Sequence, residues 1–318
     1  MKKAYVIGSR GSDLALWQAN FVRMSLERAF PEKTFSIKII KTSGDEQLDV
    51  ALSKIGDKGL FTRQIENELL SGQIDFAVHS LKDLQTVQPV GLIIGAVCER
   101  ELPNDVLISE LATSIDDLPR GARIATGSLR RKCQLLHRRP DLDIAEIRGN
   151  VPTRLKKFND SDLDGIILAY AGLHRLGFDA TISQIIPFDQ MLPAVGQGAI
   201  AVEIRSDDAA ATELAGVLDH RQTRSCVAAE RSFLRRLEGG CQVPIGAIAT
   251  IVDDEIRLEG MVGSLDGKII YRDFLVGSAN RAEKLGMDLA EILISKGANE
   301  LLEGNRRQFG ASSEALIL

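Results

Sequence analysis

The sequence predicts an α/β protein with two sheet domains, followed by a smaller α+β domain. From Ala4 to Ala169, short apolar runs alternate with amphipathic helical patterns. This alternation is typical of parallel sheets covered by helices on both faces. Beyond about Leu218 the pattern changes to one helix, three alternating strands and a final amphipathic stretch, which predicts the smaller domain. With 318 residues and 44% hydrophobic content, the chain can form two or three cores.

The predicted elements of the first half begin with a strand, Ala4 to Gly8, and a helix, Asp13 to Phe30, with Ser12 as its N-cap. The predicted buried face of this helix has apolar residues at helical spacing, namely Leu14, Trp17, Phe21 and Met24. Strands at 35–39, 74–78 and 92–97 and a helix at 60–70 follow. The polar, glycine-containing segment from Thr42 to Gly59 is interpreted as a long loop.

The same strand–helix order is predicted for the second half, after a break near Arg100 to Asp105. Its elements are strands at 122–126, 142–147 and 165–169 and helices at 129–138 and 151–158. The third domain is predicted to contain a helix at 224–237, strands at 247–252, 255–262 and 268–275, and an amphipathic stretch at 281–302. Asp253-Asp254 and Asp266-Gly267 mark its two hairpin turns.

Composition limits the function classes. The net charge is −5, so no general attraction to nucleic acid or anionic membranes is expected. The four cysteines show neither a metal-binding spacing nor a disulfide framework, which favours a reducing compartment. The apolar runs are too short for a signal peptide or a membrane span. We therefore expect a cytoplasmic protein, with Cys98, Cys133 and Cys226 buried as small apolar residues.

Cations that follow predicted strands carry the main functional signal. From Arg120 to Lys157 there are eleven Arg or Lys residues against three acids. Ligands of doubly wound sheets bind at the carboxyl ends of strands, and the helices that begin there favour anions. The cations at such positions are Arg10, Lys82, Arg130, Arg131, Arg148 and Arg175, with hydroxyl groups from Ser12, Ser80, Thr126, Ser128 and Thr153. This set predicts a ligand with several carboxylates or phosphates.

Other ligand classes fit less well. No Phe, Tyr or Trp lies between Arg120 and Lys157, so the stacking platforms of single-strand nucleic-acid binders are missing. The glycine-rich strings at 8–12 and 196–198 complete neither a P-loop nor a dinucleotide fingerprint, and the second is interpreted as a tight connection. The histidines show no metal-ligand spacing, and His79 is interpreted as a packed, hydrogen-bonded residue.

Three further features are candidates for chemistry. Asp83 directly follows Lys82. It is either an exposed acid at a helix start, which the helix dipole favours, or an ionised carboxylate that stabilises a developing cation or accepts an N–H. Cys241 lies in a Gly-Gly-Cys turn between a helix and a strand, where a thiol could serve as a covalent anchor. Lys54 and Lys58 lie in the long loop, which is either a solvated loop or a lid over an acidic substrate.

Seven sequence strings, in register from about Ser9 to about Ala298, resemble the porphobilinogen deaminases, also called hydroxymethylbilane synthases. They are Arg10-Gly11-Ser12 with Leu14-Ala15-Leu16-Trp17-Gln18, Lys58-Gly59-Leu60-Phe61, His79-Ser80-Leu81-Lys82-Asp83, Ser128-Leu129-Arg130-Arg131, Arg148-Gly149-Asn150-Val151, Leu192-Pro193-Ala194-Val195-Gly196-Gln197-Gly198 and Glu238 to Pro244. The resemblance implies two α/β domains similar to type II periplasmic binding proteins, plus a small C-terminal α+β domain. It implies domain 1 at 1–98 and 199–217 with a lid at about 42–59, domain 2 at 99–198 and domain 3 at 218–318.

The resemblance also implies the chemistry. Such a transferase carries a dipyrromethane cofactor as a thioether on the residue matching Cys241, and it condenses four porphobilinogen molecules head to tail with release of ammonia. Hydrolysis then frees the linear hydroxymethylbilane, an intermediate of haem and other tetrapyrroles. Asp83 would be catalytic and would stabilise the cation left by ammonia loss. The implied cofactor-binding residues are Cys241, Ser80, Lys82, Asp83, Thr126, Ser128, Arg130 and Arg131. The implied substrate-binding residues are Arg10, Ser12, Arg148, Arg154, Arg175, Lys54 and Lys58. A monomer with no membrane or nucleic-acid partner is expected.

This chain departs from the usual pattern of the family at a few turn positions. They are Asp13, Gln85, Asn104, Ala125 and Gly127. Gly127 stands where serine is usual, so a cofactor contact there would use the backbone only.

Two other classes remain open at this point. A two-lobed anion-sensing protein would leave Cys241 unmodified and release no ammonia. Another thiol-dependent transferase or hydrolase would need a base beside Cys241, and the neighbouring sequence offers none.

Overall fold

The computed structural model of the chain describes residues 3–42, 62–237 and 243–305. These residues form two compact units. The first consists of the described residues up to Leu102 together with Gly196–Arg224, and the second of Pro103–Val195 and the described residues from Ser225 onward. The described residues contain two five-stranded sheets and one three-stranded sheet. Among the helices in these ranges, none is long and apolar enough to cross a bilayer.

The first unit is built on a five-stranded sheet. Its strands are β1 (Ala4–Ser9), β2 (Thr34–Ile39), β3 (Phe76–Ser80), β4 (Leu92–Val97) and β10 (Ile200–Arg205), and its helices are α1 (Asp13–Ala29), α2 (Arg63–Leu70) and α6 (Ala209–Gly216). The order is β2-β1-β3-β10-β4, in which β1 runs parallel to β2 and β3 while β10 is antiparallel to both its neighbours. Stacked Tyr5 and Phe35 (5.6 Å between ring centroids) pack with fully buried Ile7 and Phe76 in its core.

The second unit begins with another five-stranded sheet, in which one strand is again antiparallel to both its neighbours. Its strands are β5 (Asp105–Ile108), β6 (Arg123–Ala125), β7 (Asp143–Ala145), β8 (Gly165–Ala169) and β9 (Gln184–Ile185), and its helices are α3 (Leu129–Arg138), α4 (Val151–Asn159) and α5 (Tyr170–Arg175). The order is β7-β6-β8-β5-β9, with β6 parallel to β7 and β8 and with β5 antiparallel to β8. Separate apolar clusters around Leu107 and around Ile166 form its cores.

The three-stranded antiparallel sheet completes the second unit. It consists of β11 (Ile245–Val252), β12 (Glu255–Gly263) and β13 (Ile270–Ser278), with α7 (Arg221–Arg236), α8 (Ala282–Ser295) and a helical stretch at 298–305. Asp253 and Asp254 form the first hairpin turn with φ of 51° and 63°, as type I′ turns require. Fully buried Phe233 lies at the centre of the core between sheet and helices.

The predicted fold class is confirmed: two α/β sheets and a small C-terminal α+β sheet are present. The predicted buried face of α1 is wrong, because its buried residues are Gln18, Ala19, Val22 and Leu26. Trp17 and Phe21 instead stack on each other at 5.7 Å, each 38% exposed. The strands are not all parallel either, since β5 and β10 run antiparallel to their neighbours and neither was predicted.

Candidate active site

In the first unit, the predicted residues lie at the carboxyl ends of two adjacent parallel strands. β1 and β3 pair in register at Ile7 with Phe76, so their ends share one sheet edge. Arg10 directly follows β1. Ser12 is the N-cap of α1, and its Oγ accepts a hydrogen bond from the backbone N–H of Ala15 at 3.4 Å, as predicted.

Ser80 and Lys82 both bond to buried glutamines that the sequence reasoning missed. The side-chain amide of Gln18 donates to Ser80 Oγ at 2.9 Å, and Lys82 Nζ donates to Gln197 Oε1 at 3.4 Å. Gln18 and Gln197 are both almost fully buried. No sequence signal marked Gln18, because the predicted apolar face of α1 did not contain it. For Gln197 the signal was its place between two glycines.

Asp83 lies on a short 3₁₀ turn, Leu81–Asp83, that directly follows β3. Buried Leu81 anchors the turn, and its backbone N–H donates to the Ala199 carbonyl at 3.0 Å. Asp83 itself is exposed. Its carboxylate is therefore held by a rigid turn and is open to a ligand, next to the cationic Lys82.

The Gly-Gln-Gly string forms the tight connection that the sequence predicted. Gly196 and Gly198 have φ of 72° and 87°, which favour glycine. A Cβ on Gly198 would also collide with the carbonyl group of Glu101. The two glycines thus allow the backbone conformation of this turn, and the turn places Gln197 within hydrogen-bond distance of Lys82.

In the second unit, a basic turn follows β6. Thr126 Oγ1 accepts from the Ser128 N–H at 3.2 Å, and Ser128 caps α3 by accepting from the Arg131 N–H at 3.5 Å. A Cβ added to Gly127 would lie 3.2 Å from Arg148 Nη1, so this turn lies against the cation that follows β7. The structure therefore brings together the ends of two neighbouring parallel strands, as predicted.

Arg130 and Arg131, both 5% exposed, share the buried carboxylate of Asp105. Arg130 Nη1 donates to Oδ2 at 2.6 Å, and Arg131 Nη2 donates to Oδ1 at 2.7 Å. Burial raises the pKa of Asp105, but the charges of the two arginines outweigh burial, so its pKa lies well below the ordinary range. Sequence reasoning missed Asp105, because it lay at an apparent domain break.

The three remaining predicted arginines lie around the same sheet edge. Arg148 pairs with Glu146, and its buried Nε has no hydrogen-bond partner among the residues that the structure describes. Arg154 Nε, on α4, donates to the Gly149 carbonyl at 2.7 Å. Arg175 ends α5 and is 9% exposed. The buried Nε of Arg148 is a donor that an acidic ligand could satisfy.

Cys241, Lys54 and Lys58 lie outside the described residues. The segments that flank Cys241 are described: α7 ends at Arg236, Val243 is buried and β11 begins at Ile245. The other three cysteines are buried as predicted. Burial, with a smaller contribution from the charge of Asp266, raises the pKa of Cys133 to about 12, so this thiol is unreactive.

Metal chemistry finds no support within the described ranges, where no group of three or more His, Cys, Asp or Glu side chains could hold an ion. His79 is packed as predicted: its side chain and that of Glu203 are buried, and its Nε2 lies 3.3 Å from Glu203 Oε2. This approach does not meet hydrogen-bond geometry and Nε2 has no other such partner among the described residues, so the predicted hydrogen bond is not formed at this nitrogen. The available donors are guanidinium, ammonium, hydroxyl and helix N-terminal N–H groups. They match the acetate and propionate groups of a dipyrromethane. These features define the class as an α/β protein with cationic and hydroxyl donors at the carboxyl ends of its strands, an arrangement suited to a ligand with several carboxylates.

Comparisons with known proteins identify the family. The family model described as "Porphobilinogen deaminase, dipyromethane cofactor binding domain" matches residues 5–213, and "Porphobilinogen deaminase, C-terminal domain" matches residues 224–295. Porphobilinogen deaminase of Carboxydothermus hydrogenoformans is 54% identical, over 96% of this chain and 99% of the relative. That of Pelotomaculum thermopropionicum is 52% identical, over 97% and 99%. The chain belongs to the porphobilinogen deaminase family and contains its dipyrromethane cofactor-binding domain.

The solved structures that match this chain are remote from it in sequence. A methionine-binding lipoprotein of Bacillus subtilis covers 70% of this chain and 92% of its own, with 13% identity and a TM-score of 0.42. A substrate-binding domain of an amino acid transporter from Streptococcus pneumoniae covers 67% and 91%, with 13% identity and a TM-score of 0.44.

Proposed function

We propose that this chain is a hydroxymethylbilane synthase, a transferase that condenses four porphobilinogen molecules on a dipyrromethane primer joined to Cys241. The cofactor-binding domain match over residues 5–213 carries this proposal. That region holds the buried Arg130–Arg131 pair and the hydroxyl-lined turn before α3. When bound, the primer supplies the nucleophilic pyrrole carbon from which the chain grows.

The resemblance to the family divides the residues between the primer and the incoming substrate. Ser80, Lys82, Thr126, Ser128, Arg130 and Arg131 hold the primer's carboxylates. Arg10, Ser12, Arg148, Arg154 and Arg175 bind the carboxylates of incoming substrate, and Lys54 and Lys58 belong to a lid. Each charge-assisted hydrogen bond contributes about 1.5–3 kcal/mol, so a few of them hold a flexible polycarboxylate.

Asp83 acts on the reacting substrate. Each condensation breaks the aminomethyl C–N bond of porphobilinogen, releases ammonia, forms a C–C bond to the growing chain and returns one proton. The carboxylate of Asp83 is exposed on its turn. It stabilises the positive charge that develops on the substrate as ammonia leaves, and it accepts pyrrole N–H bonds.

The remaining assignments are proposals as well. We assign domain 1 to 1–98 and 199–217, domain 2 to 99–198 and domain 3 to 218–318. The grouping of Gly196–Arg224 with the residues up to Leu102 supports the return of the chain to domain 1. We propose a monomer from the resemblance to the family, and a cytoplasmic enzyme with no nucleic-acid partner from the acidic composition and the lack of a disulfide framework in the sequence.

An ammonia and product assay on the purified holoenzyme tests the proposal. Wild type should release four ammonia molecules per hydroxymethylbilane formed from porphobilinogen. Asp83→Asn, which removes the charge at constant shape, should lower kcat by about 10²–10³-fold. Asp116→Asn, which breaks an exposed pair with Arg138, should keep wild-type kcat. Wild-type holoenzyme that binds porphobilinogen without releasing ammonia would refute the proposal and favour an anion-binding function.

A further inference from the structure

We infer that Asp105 is a positioning residue, which holds Arg130 and Arg131 together as one receptor for a carboxylate of the primer. The inference rests on the proposed function and deepens it. It concerns a buried acid that makes no contact with solvent. It assigns to Asp105 no contact with substrate and no proton transfer.

The carboxylate of Asp105 is divided between the two guanidinium groups. Its Oδ2 accepts from Arg130 Nη1 at 2.6 Å, whereas its Oδ1 accepts from Arg131 Nη2 at 2.7 Å and Nε at 3.1 Å. Asp105 is the first residue of β5, where its backbone is fixed by pairing with Ala169 on β8. The acid is therefore held by the sheet, and it in turn fixes the arginines of the facing helix.

Arg130 and Arg131 would not converge without a shared partner. Adjacent residues on a helix point in directions about 100° apart, because the helix has 3.6 residues per turn. Both lie in the first turn of α3, where the positive end of the helix dipole disfavours cations. A single carboxylate between them overcomes both effects, since it offers one oxygen to each arginine.

Backbone carbonyls complete the cage around the arginines. Arg130 Nη1 also donates to the Leu192 carbonyl at 2.7 Å, and Arg131 Nη1 donates to the Ile167 carbonyl at 2.9 Å. Gln134, one turn along α3, bonds to both the N–H and the carbonyl of Leu192. These contacts fix both guanidinium planes before any ligand arrives, and pre-organisation of this kind favours binding.

The charge of the group suits one bound carboxylate. Two arginines and one aspartate carry a net charge of +1 in a buried site, and one acidic ligand group neutralises it. The bonds of Arg130 to Asp105 and to the Leu192 carbonyl both use Nη1. A guanidinium has five N–H donors, so Nε and Nη2 of Arg130 are not engaged by these two contacts. We assign these donors to the primer.

Primer loading of Asp105→Asn, measured by intact-protein mass, tests the inference. Asn keeps the shape but removes the charge and one acceptor oxygen. We expect the primer-loaded fraction to fall at least fivefold. In the loaded fraction, kcat should fall while KM for porphobilinogen stays within twofold, because the substrate arginines are untouched. Asp105→Glu, which keeps the charge, should recover part of the loading.

A control variant separates positioning from lost stability. Ile124→Val removes one buried methyl group from the same sheet and should load fully. Full loading and wild-type kcat in Asp105→Asn would overturn the inference, while a loaded wild type would leave the proposed function intact. If Asp105→Asn does not fold, Asp105→Glu decides, because its longer side chain keeps the charge but displaces both guanidinium groups. Loading below the wild-type level in a folded protein supports the inference, and full loading with wild-type kcat overturns it. A wild-type protein whose intact mass shows no primer would instead refute the proposed function itself.

Discussion

Gly127 gives a quantitative prediction, because this chain has glycine where the resembling family usually has serine. A Cβ at this position would lie 2.8 Å from the carbonyl oxygen of Ile147 and 3.2 Å from Arg148 Nη1. The first contact is with backbone, which cannot move aside as a flexible side chain would. Gly127→Ala therefore forces the turn after β6 away from the end of β7.

Two energetic effects follow from this displacement. Overpacking of this kind costs about 1–3 kcal/mol of unfolding free energy. If the shift also removes one charge-assisted hydrogen bond between Arg148 and a substrate carboxylate, about 1.5–3 kcal/mol of binding is lost. Since 1.4 kcal/mol corresponds to a factor of ten, KM for porphobilinogen should rise at least about tenfold.

Urea unfolding and steady-state kinetics measure the two effects separately. Gly216→Ala is the matched control, because Gly216 ends α6 and a Cβ there meets nothing within 4 Å. It should leave KM unchanged and should not lower stability. The reasoning is refuted if Gly127→Ala unfolds within about 0.5 kcal/mol of wild type, the usual range for neutral surface changes, and keeps its KM.

Three further predictions concern the second unit. Phe233→Ala should lower the free energy of unfolding by about 3–5 kcal/mol in urea titrations, because the ring is fully buried; a loss below about 1 kcal/mol would contradict the packing. Hydrogen bonds from the Ser264 hydroxyl, the larger effect, and from the Lys268 N–H lower the pKa of Asp266 to about 2. Ionised Asp266 therefore stabilises the fold above about pH 4. The stability difference between wild type and Asp266→Ala should therefore narrow as pH falls from 4 to 2; a constant difference would contradict this. Cys133 should resist iodoacetamide at pH 8 until urea unfolds the protein, as peptide mass spectrometry would show; rapid native labelling would contradict its raised pKa.

Much of the fold followed from local patterns. The helix predicted at 129–138 is observed with the same bounds, because Ser128 caps it and apolar residues recur at helical spacing. The hairpin turn at Asp253-Asp254 was also predictable from its residues. By contrast, β5 was not predicted although Val106, Leu107 and Ile108 favour a strand, because it directly follows the apparent domain break that ends at Asp105. Its place in the sheet depends on long-range pairing with β8.

The buried face of α1 shows another limit of pattern reasoning. Ala19 and Val22 are fully buried, whereas the larger Trp17 and Phe21 remain 38% exposed and stack on each other. Small residues let the helix pack close to the sheet. The hydrophobicity of the side chains alone does not predict how close the helix lies to the sheet, so it did not identify the buried face. Gln18 lies on the same buried face of α1, and its side-chain amide donates to Ser80 in the candidate site.

The site residues that could be predicted are the cationic side chains that come soon after a predicted strand. Arg130, Arg131 and Arg148 were selected because strand ends and helix N-termini bind anions, and they lie at such positions. The partners of these cations were not predictable. Asp105 reaches Arg130 and Arg131 across 25 and 26 residues of sequence, and its role depends on the pairing of strands that the sequence does not reveal.

Intact-protein mass spectrometry of wild type and Cys241→Ser tests the central proposal most directly, namely that a primer is bonded to the Cys241 thiol and its acidic groups are held by the cations at the strand ends. Purified wild type should exceed its sequence mass by two linked pyrrole units, and Cys241→Ser should lack this excess. An active wild-type protein with its bare sequence mass, or an excess that persists in Cys241→Ser, would contradict the proposal.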